Sequence, residues 1–136
     1  MDVVARCTGW IATLAILAAA LFPAVQRLRE GRRAALGSRT VSAHVMAGFA
    51  VAGLAFLHTL TVLPALGSPA AIGGGMSALI AAGVAFFLLI AHAGLGLQLK
   101  EPKLKERPRK RRMHLTTATL IGIAVGVHAV LLLRAR

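Results

Sequence analysis

The sequence predicts an all-α protein: a four-helix transmembrane bundle, up-down-up-down, with the N- and C-termini outside. Three observations carry that expectation. Four apolar runs, approximately 8–25, 41–63, 76–99 and 115–133, each approach or exceed the roughly 18–20 residues that a helix needs to cross hydrocarbon. Apolar residues make up 57% of the chain, and a mean hydropathy of +0.77 favours lipid over the interior of a soluble bundle. The charged residues fall almost entirely between the runs. Since the spans use nearly all of the 136 residues, residues 1–136 are expected to form a single transmembrane domain with no soluble domain beside it.

The placement of the +12 net charge argues for membrane orientation and against nucleic acid as a partner. Arg27, Arg29, Arg32, Arg33 and Arg39 fill the first connection, and Lys100, Lys103, Lys105, Arg107, Arg109, Lys110, Arg111 and Arg112 crowd the third. The second connection, Pro64 to Gly75, carries no charge. In a four-span protein the first and third connections share a side, so the positive-inside rule puts both in the cytoplasm. Anionic lipid head groups are their expected contacts, with an acidic cytoplasmic partner as the alternative.

The first run is read as a true helix. Arg6, the apolar stretch from Trp10 to Phe22 and the small residues Ala18 to Ala20 also suit a signal peptide. Cleavage would leave three spans and move the arginine-rich segment outside, against the charge rule. Trp10 is placed to anchor the outer interface, and Pro23 to bend the last turn. Cys7 is the sole cysteine, which excludes an intrachain disulfide and any multi-cysteine metal site.

The second helix follows Gly37 and Ser38 and carries His44 about one turn inside its cytoplasmic boundary, then His58. Between them Ala47, Gly48, Val51 and Ala55 offer a same-face strip of small or β-branched side chains, suited to close helix packing or to a flat ring. The uncharged connection after it, rich in Pro and Gly, is expected to be a turn covered by lipid or a neighbouring subunit. The third helix returns toward the cytoplasm with His92 roughly 10 Å below the surface, and Gly83 and Gly94 along its length. The fourth presents Arg111 and Arg112, then His114, Thr117, Ala118, Ile121, Val125 and His128 on one side, with Gly122 and Gly126 in a GxxxG packing motif.

His44 and His58 are fourteen residues apart, and so are His114 and His128. Fourteen residues of helix make about 3.9 turns and about 21 Å of rise, so each pair lies near one face at two depths. The second and fourth helices run in the same direction, which matches His44 with His114 near the cytoplasmic side and His58 with His128 near the outer side. Polar side chains are costly in hydrocarbon, and ligation to haem iron would satisfy a neutral imidazole nitrogen at each of the four positions. Two stacked bis-histidine sites are therefore expected, with these residues as axial iron ligands. Arg39, Arg111 and Arg112 are candidate propionate or quinone contacts. His92 is a candidate for the same roles or for replacing a ligand, against the plainer reading of a polar residue satisfied by a neighbouring helix.

Carried by His44, His58, His114 and His128, this arrangement resembles the four-helix dihaem core of the membrane cytochromes b, in which two helices of like direction each hold two histidines. The resemblance covers all four helices and implies two non-covalent haem b groups, electron transfer between the two faces, and often a quinone as donor or acceptor. The chain is much shorter than the large respiratory cytochromes b, and its glycines do not follow their spacing. It looks most like a small dihaem anchor subunit, an electron-transfer component of an oxidoreductase complex rather than an enzyme alone. The resemblance implies other redox subunits as partners and an integral position in the bacterial inner membrane, basic loops in the cytoplasm.

Two other readings compete. In a transporter or channel, histidines would relay protons or bind metal, but the spans contain no Asp or Glu, and metal transport favours ligands gathered at one depth. A cofactor-free structural or assembly subunit suits the small-residue helices and leaves the matched histidines without a purpose. The only acidic residues, Asp2, Glu30, Glu101 and Glu106, lie at ends or in connections, and no nucleophile elbow or phosphate loop is present.

Overall fold

The computed structural model of the chain describes residues 3–66 and 75–135. Four helices follow one another: α1 (Val3–Glu30), α2 (Arg39–Val62), α3 (Gly75–Leu99) and α4 (Arg107–Arg134), with a 3-10 turn at Leu63–Ala65 after α2. All four are long and apolar enough to cross a membrane. The uncharged connection expected to be covered by lipid or a subunit lies, at 67–74, outside the described residues.

Helices α1 and α4 outrun the apolar segments that predicted them, because hydropathy marks the part of a helix in hydrocarbon and not its polar extension, whereas α2 and α3 match theirs within two residues. α1 continues through Pro23 to Glu30, where Gln26 Nε2 donates to Glu30 Oε1 at 2.9 Å and to Thr40 Oγ1 on α2 at 2.6 Å. Gly31, at φ +64°, stops it with the left-handed turn that common helix ends use. α2 starts under an N-cap in which Ser38 Oγ accepts from the Val41 amide at 3.3 Å. α4 begins at Arg107, well before the apolar run, with a proline in its first turn and lysine and arginine residues that favour helix. The Arg107 guanidinium donates to the carbonyls of Leu99 at 2.8 Å, Pro102 at 3.1 Å and Glu101, binding the end of α3 to the start of α4.

α1 packs along α2, and α3 along α4, as two tight antiparallel hairpins. The hairpins meet less extensively, α2 against α3 and α1 against α4, so α2 and α4 face each other across the bundle diagonal. Midway along, Val51, Leu89 and Ile121 form the buried core, flanked by Ile16, Ala55 and Val125. Large apolar side chains such as Leu14, Phe49, Phe87 and Ile123 are exposed around the outside, as a lipid-facing surface requires.

The two hairpins are repeats of one design. Ala5 and Ala12 of α1 are buried where α1 meets its neighbours, and Ala78 and Ala85 of α3 are buried with the same seven-residue spacing. Val51 of α2 and Ile121 of α4, each seven residues past the first histidine of its helix, both reach the central core. Alanine at those positions lets the paired backbones approach closely.

Candidate functional site

The structure brings the five histidines into two tiers, above and below the Val51, Leu89 and Ile121 layer. Each of the four paired histidines lies beside a backbone carbonyl of the partner helix in its own hairpin, and His128 hydrogen-bonds to the one it meets. His58 faces Ala5 and His44 faces Ala19 on α1, while His128 faces Ala78 and His114 faces His92 on α3. Ala5 and Ala19 are fourteen residues apart, as are Ala78 and His92. The fourteen-residue period of α2 and α4 is thus matched on the helices that carry no paired histidine.

In the outer tier, His128 Nδ1 lies 2.9 Å from the Ala78 carbonyl, which can only accept, so Nδ1 carries the proton. His58 Nδ1 lies 3.1 Å from Thr8 Oγ1. The Thr8 hydroxyl spends its one proton on the carbonyl of Val4 at 2.9 Å or of Ala5 at 3.1 Å, and the Thr61 hydroxyl spends its own on the His58 carbonyl at 2.7 Å. His58 is left as the donor to Thr8. Both imidazoles therefore keep a lone pair on Nε2. Gly9 makes room for one of them: a Cβ there would stand 3.0 Å from His58 Cε1. Between His58 and His128 opens a cavity of about 420 Å³, lined from all four helices by residues including Gly9, Ala55, Gly83 and Val125, with Arg6 on its wall near the start of α1.

The inner tier holds three imidazoles. The His44 and His114 ring centres are 6.3 Å apart with planes at 87°, and His92 stacks on His114 at 3.7 Å and 14°. His92 Nδ1 lies 2.8 Å from Thr117 Oγ1, whose own proton goes to the His114 carbonyl at 2.9 Å, so His92 is the donor. Nδ1 of His44 and Nδ1 of His114 are buried without a hydrogen bond. Pro23 explains the carbonyl that His44 faces: lacking an amide hydrogen, it leaves the Ala19 carbonyl, four residues earlier, without its helical donor. Arg39 at the first residue of α2, and Arg111 and Arg112 in the turn before His114, are exposed.

His44 thus lies near His114, and His58 and His128 line one cavity together with Ala55 and Gly83. Gly94 is not among its lining residues. Nothing in the residue pattern marks Thr8, Gly9 or Arg6 for this site, and the serial carbonyls have no residue signature at all; only Pro23, which frees the Ala19 carbonyl, hints at one of them. Among the described residues no three His, Cys, Asp or Glu side chains converge as a metal cage would require. A pair of imidazoles at each depth, His44 with His114 and His58 with His128, is what the arrangement offers. No known protein family, characterised protein or solved structure matches the chain.

Proposed function

We propose that the chain is a membrane dihaem b-type cytochrome subunit that carries electrons across the membrane between partner redox subunits, quinone, or both. The observation that carries this reading is the doubled tier: two histidines at each of two depths, with His58 and His128 held by Thr8 and the Ala78 carbonyl and with Nδ1 of His44 and His114 buried and unpartnered. A haem asks its protein for two axial imidazoles, an apolar slot and cations for its propionates. The outer tier offers Nε2 lone pairs from His58 and His128, a cavity of about 420 Å³ within the range of small-molecule and cofactor sites, and Arg6 as a cation. At the inner tier the ring-centre separation of 6.3 Å suits one shared metal, because imidazoles bound from opposite sides through bonds of about 2 Å have centres about 6 Å apart. Arg39, Arg111 and Arg112 are near enough in sequence to serve propionates there, or a quinone.

When bound, haem supplies a one-electron iron couple at each tier, with both axial positions occupied. The chain's own residues do the rest. Thr8 and the Ala78 carbonyl fix the tautomer that leaves Nε2 free, as partners of metal-bound histidines do. Val51, Leu89 and Ile121 keep the space between the tiers apolar, and the helix rise spaces the tiers by about 21 Å. The chain lies in this reading within the bacterial inner membrane, its basic connections in the cytoplasm.

The test is the reduced-minus-oxidised absorption spectrum of detergent-purified protein with haem counted per chain. Two haems with a low-spin, six-coordinate b-type spectrum are expected. Protein expressed with adequate haem supply that binds none would end the reading and return the histidines to transport or packing.

A further inference from the structure

The two hairpins differ at one place in the inner tier. α1 sets Ala19 beside His44, whereas α3 sets His92 beside His114, and so adds an imidazole where the first hairpin has a methyl group. That imidazole lies flat on His114, centres 3.7 Å apart and planes within 14°. It is itself tied down through Thr117 to the backbone carbonyl of His114, by contacts of 2.8 and 2.9 Å. On the edge of the His114 ring, the Gly96 backbone comes so near that a Cβ there would be 3.4 Å from Cε1. His114 is covered on one face by His92, and it cannot turn about its Cβ–Cγ bond without driving into that ring. His44 has no stacked partner, and its buried Nδ1 has no hydrogen bond.

We propose that His92 is a positioning residue that fixes the His114 imidazole nearly perpendicular to that of His44 and thereby sets the electronic ground state of the inner haem. The proposal rests on the dihaem reading. Stacked face to face, His92 and His114 are not placed to ligate one metal from opposite sides, which leaves His44 as the axial partner, its plane 87° from that of His114. An axial imidazole interacts with the iron dπ orbital perpendicular to its plane. Parallel rings raise one such orbital, while crossed rings act on both and leave them close in energy, which makes the g tensor of the low-spin ferric state strongly anisotropic.

The experiment is low-temperature electron paramagnetic resonance of the oxidised full chain, with haem counted on the same sample and the inner signal assigned in His58→Ala protein. The wild type is expected to show a strongly anisotropic inner signal. In His92→Ala the haem count stays at two and the largest inner g value falls, because His114 is free to turn, while the outer signal stays put and reports an intact fold. His92→Gln, which keeps a donor for Thr117 but no ring to stack on His114, lowers the largest inner g value as well. Thr117→Val, a near-isosteric change that unties His92, lowers it and stands as the test should His92→Ala fail to assemble. An unchanged inner signal at two haems in His92→Ala overturns the proposal and leaves the dihaem reading standing. Loss of one haem in both His92 variants overturns it too, by making His92 a ligand. A wild type without haem removes the reading beneath it.

Discussion

His128 donates its Nδ1 proton to the main-chain carbonyl of Ala78, 2.9 Å away across the α3–α4 interface. The carbonyl belongs to a helix with no paired histidine of its own, and the same division of labour holds in the other hairpin, where Thr8 of α1 accepts from His58 of α2. Helices α1 and α3 orient; α2 and α4 present. Side-chain orientation inside a membrane must come from such contacts, since water is not there to supply them.

Thr8 can be removed by substitution where a backbone carbonyl cannot. In Thr8→Val the His58 ring loses its acceptor at nearly constant shape, and on the proposed dihaem reading the affinity of the outer site for haem is expected to fall about 10–100-fold, the usual cost of losing such a partner. Titration of haem into apoprotein measures this, and the inner site should bind as before. Equal weakening of both sites would mean that Thr8 supports the bundle and not His58.

Gly9 gives a steric version of the same test. Gly9→Ala places a methyl 3.0 Å from Cε1 and 3.4 Å from Nε2 of His58, a contact that forces the ring aside, so one haem of two should be lost. Gly53→Ala on α2 adds the same methyl to open space and should retain both. Haem-to-protein ratios of the purified variants decide it, and full occupancy in Gly9→Ala would show that the ring has room to shift.

How much of this could be seen in the chain itself follows from what carries each feature. The four spans and the His44, His58, His114 and His128 pairing rest on side chains repeated at a helical period, which a sequence displays openly. The stack of His92 on His114 depends on the rotation of α3 against α4, which an apolar helix with no strong polar face does not announce. The carbonyls of Ala5, Ala19 and Ala78 belong to residues chosen for smallness, and nothing in an alanine says that its backbone faces an imidazole. Helix α4 starts at Arg107, ahead of its apolar run at 115; Arg107 to Met113 reads as a loop to hydropathy, although lysine and arginine propagate helix well.

Arg107 is a structural cation amid others that are not. Its guanidinium serves three carbonyls, of Leu99, Glu101 and Pro102, and Arg107→Gln should destabilise the α3–α4 hairpin by about 1–3 kcal/mol, the scale for losing charge-assisted hydrogen bonds. Arg109 pairs with Glu106 at 3.1 Å with both side chains largely exposed (73% and 59%), so Arg109→Ala should change stability by less than about 1 kcal/mol. Thermal unfolding in detergent, followed by circular dichroism, separates them. Equal midpoints would mean that the α3–α4 connection is held elsewhere.

Orientation is the last expectation open to direct measurement. Arginine-rich and lysine-rich connections lie at the same end of the bundle, after α1 and before α4, and membrane insertion keeps such short basic segments in the cytoplasm. A single reporter distinguishes the two orientations: Lys103→Cys in a Cys7→Ser chain puts one thiol in the exposed α3–α4 connection. A membrane-impermeant maleimide should spare it in intact cells or right-side-out vesicles and label it in inverted vesicles. That outcome would place His44, His92 and His114 nearest the cytoplasm and His58 and His128 nearest the outside. Labelling from outside would reverse every such assignment, while leaving the pairing of histidines by depth, which depends on the helices alone, as it is.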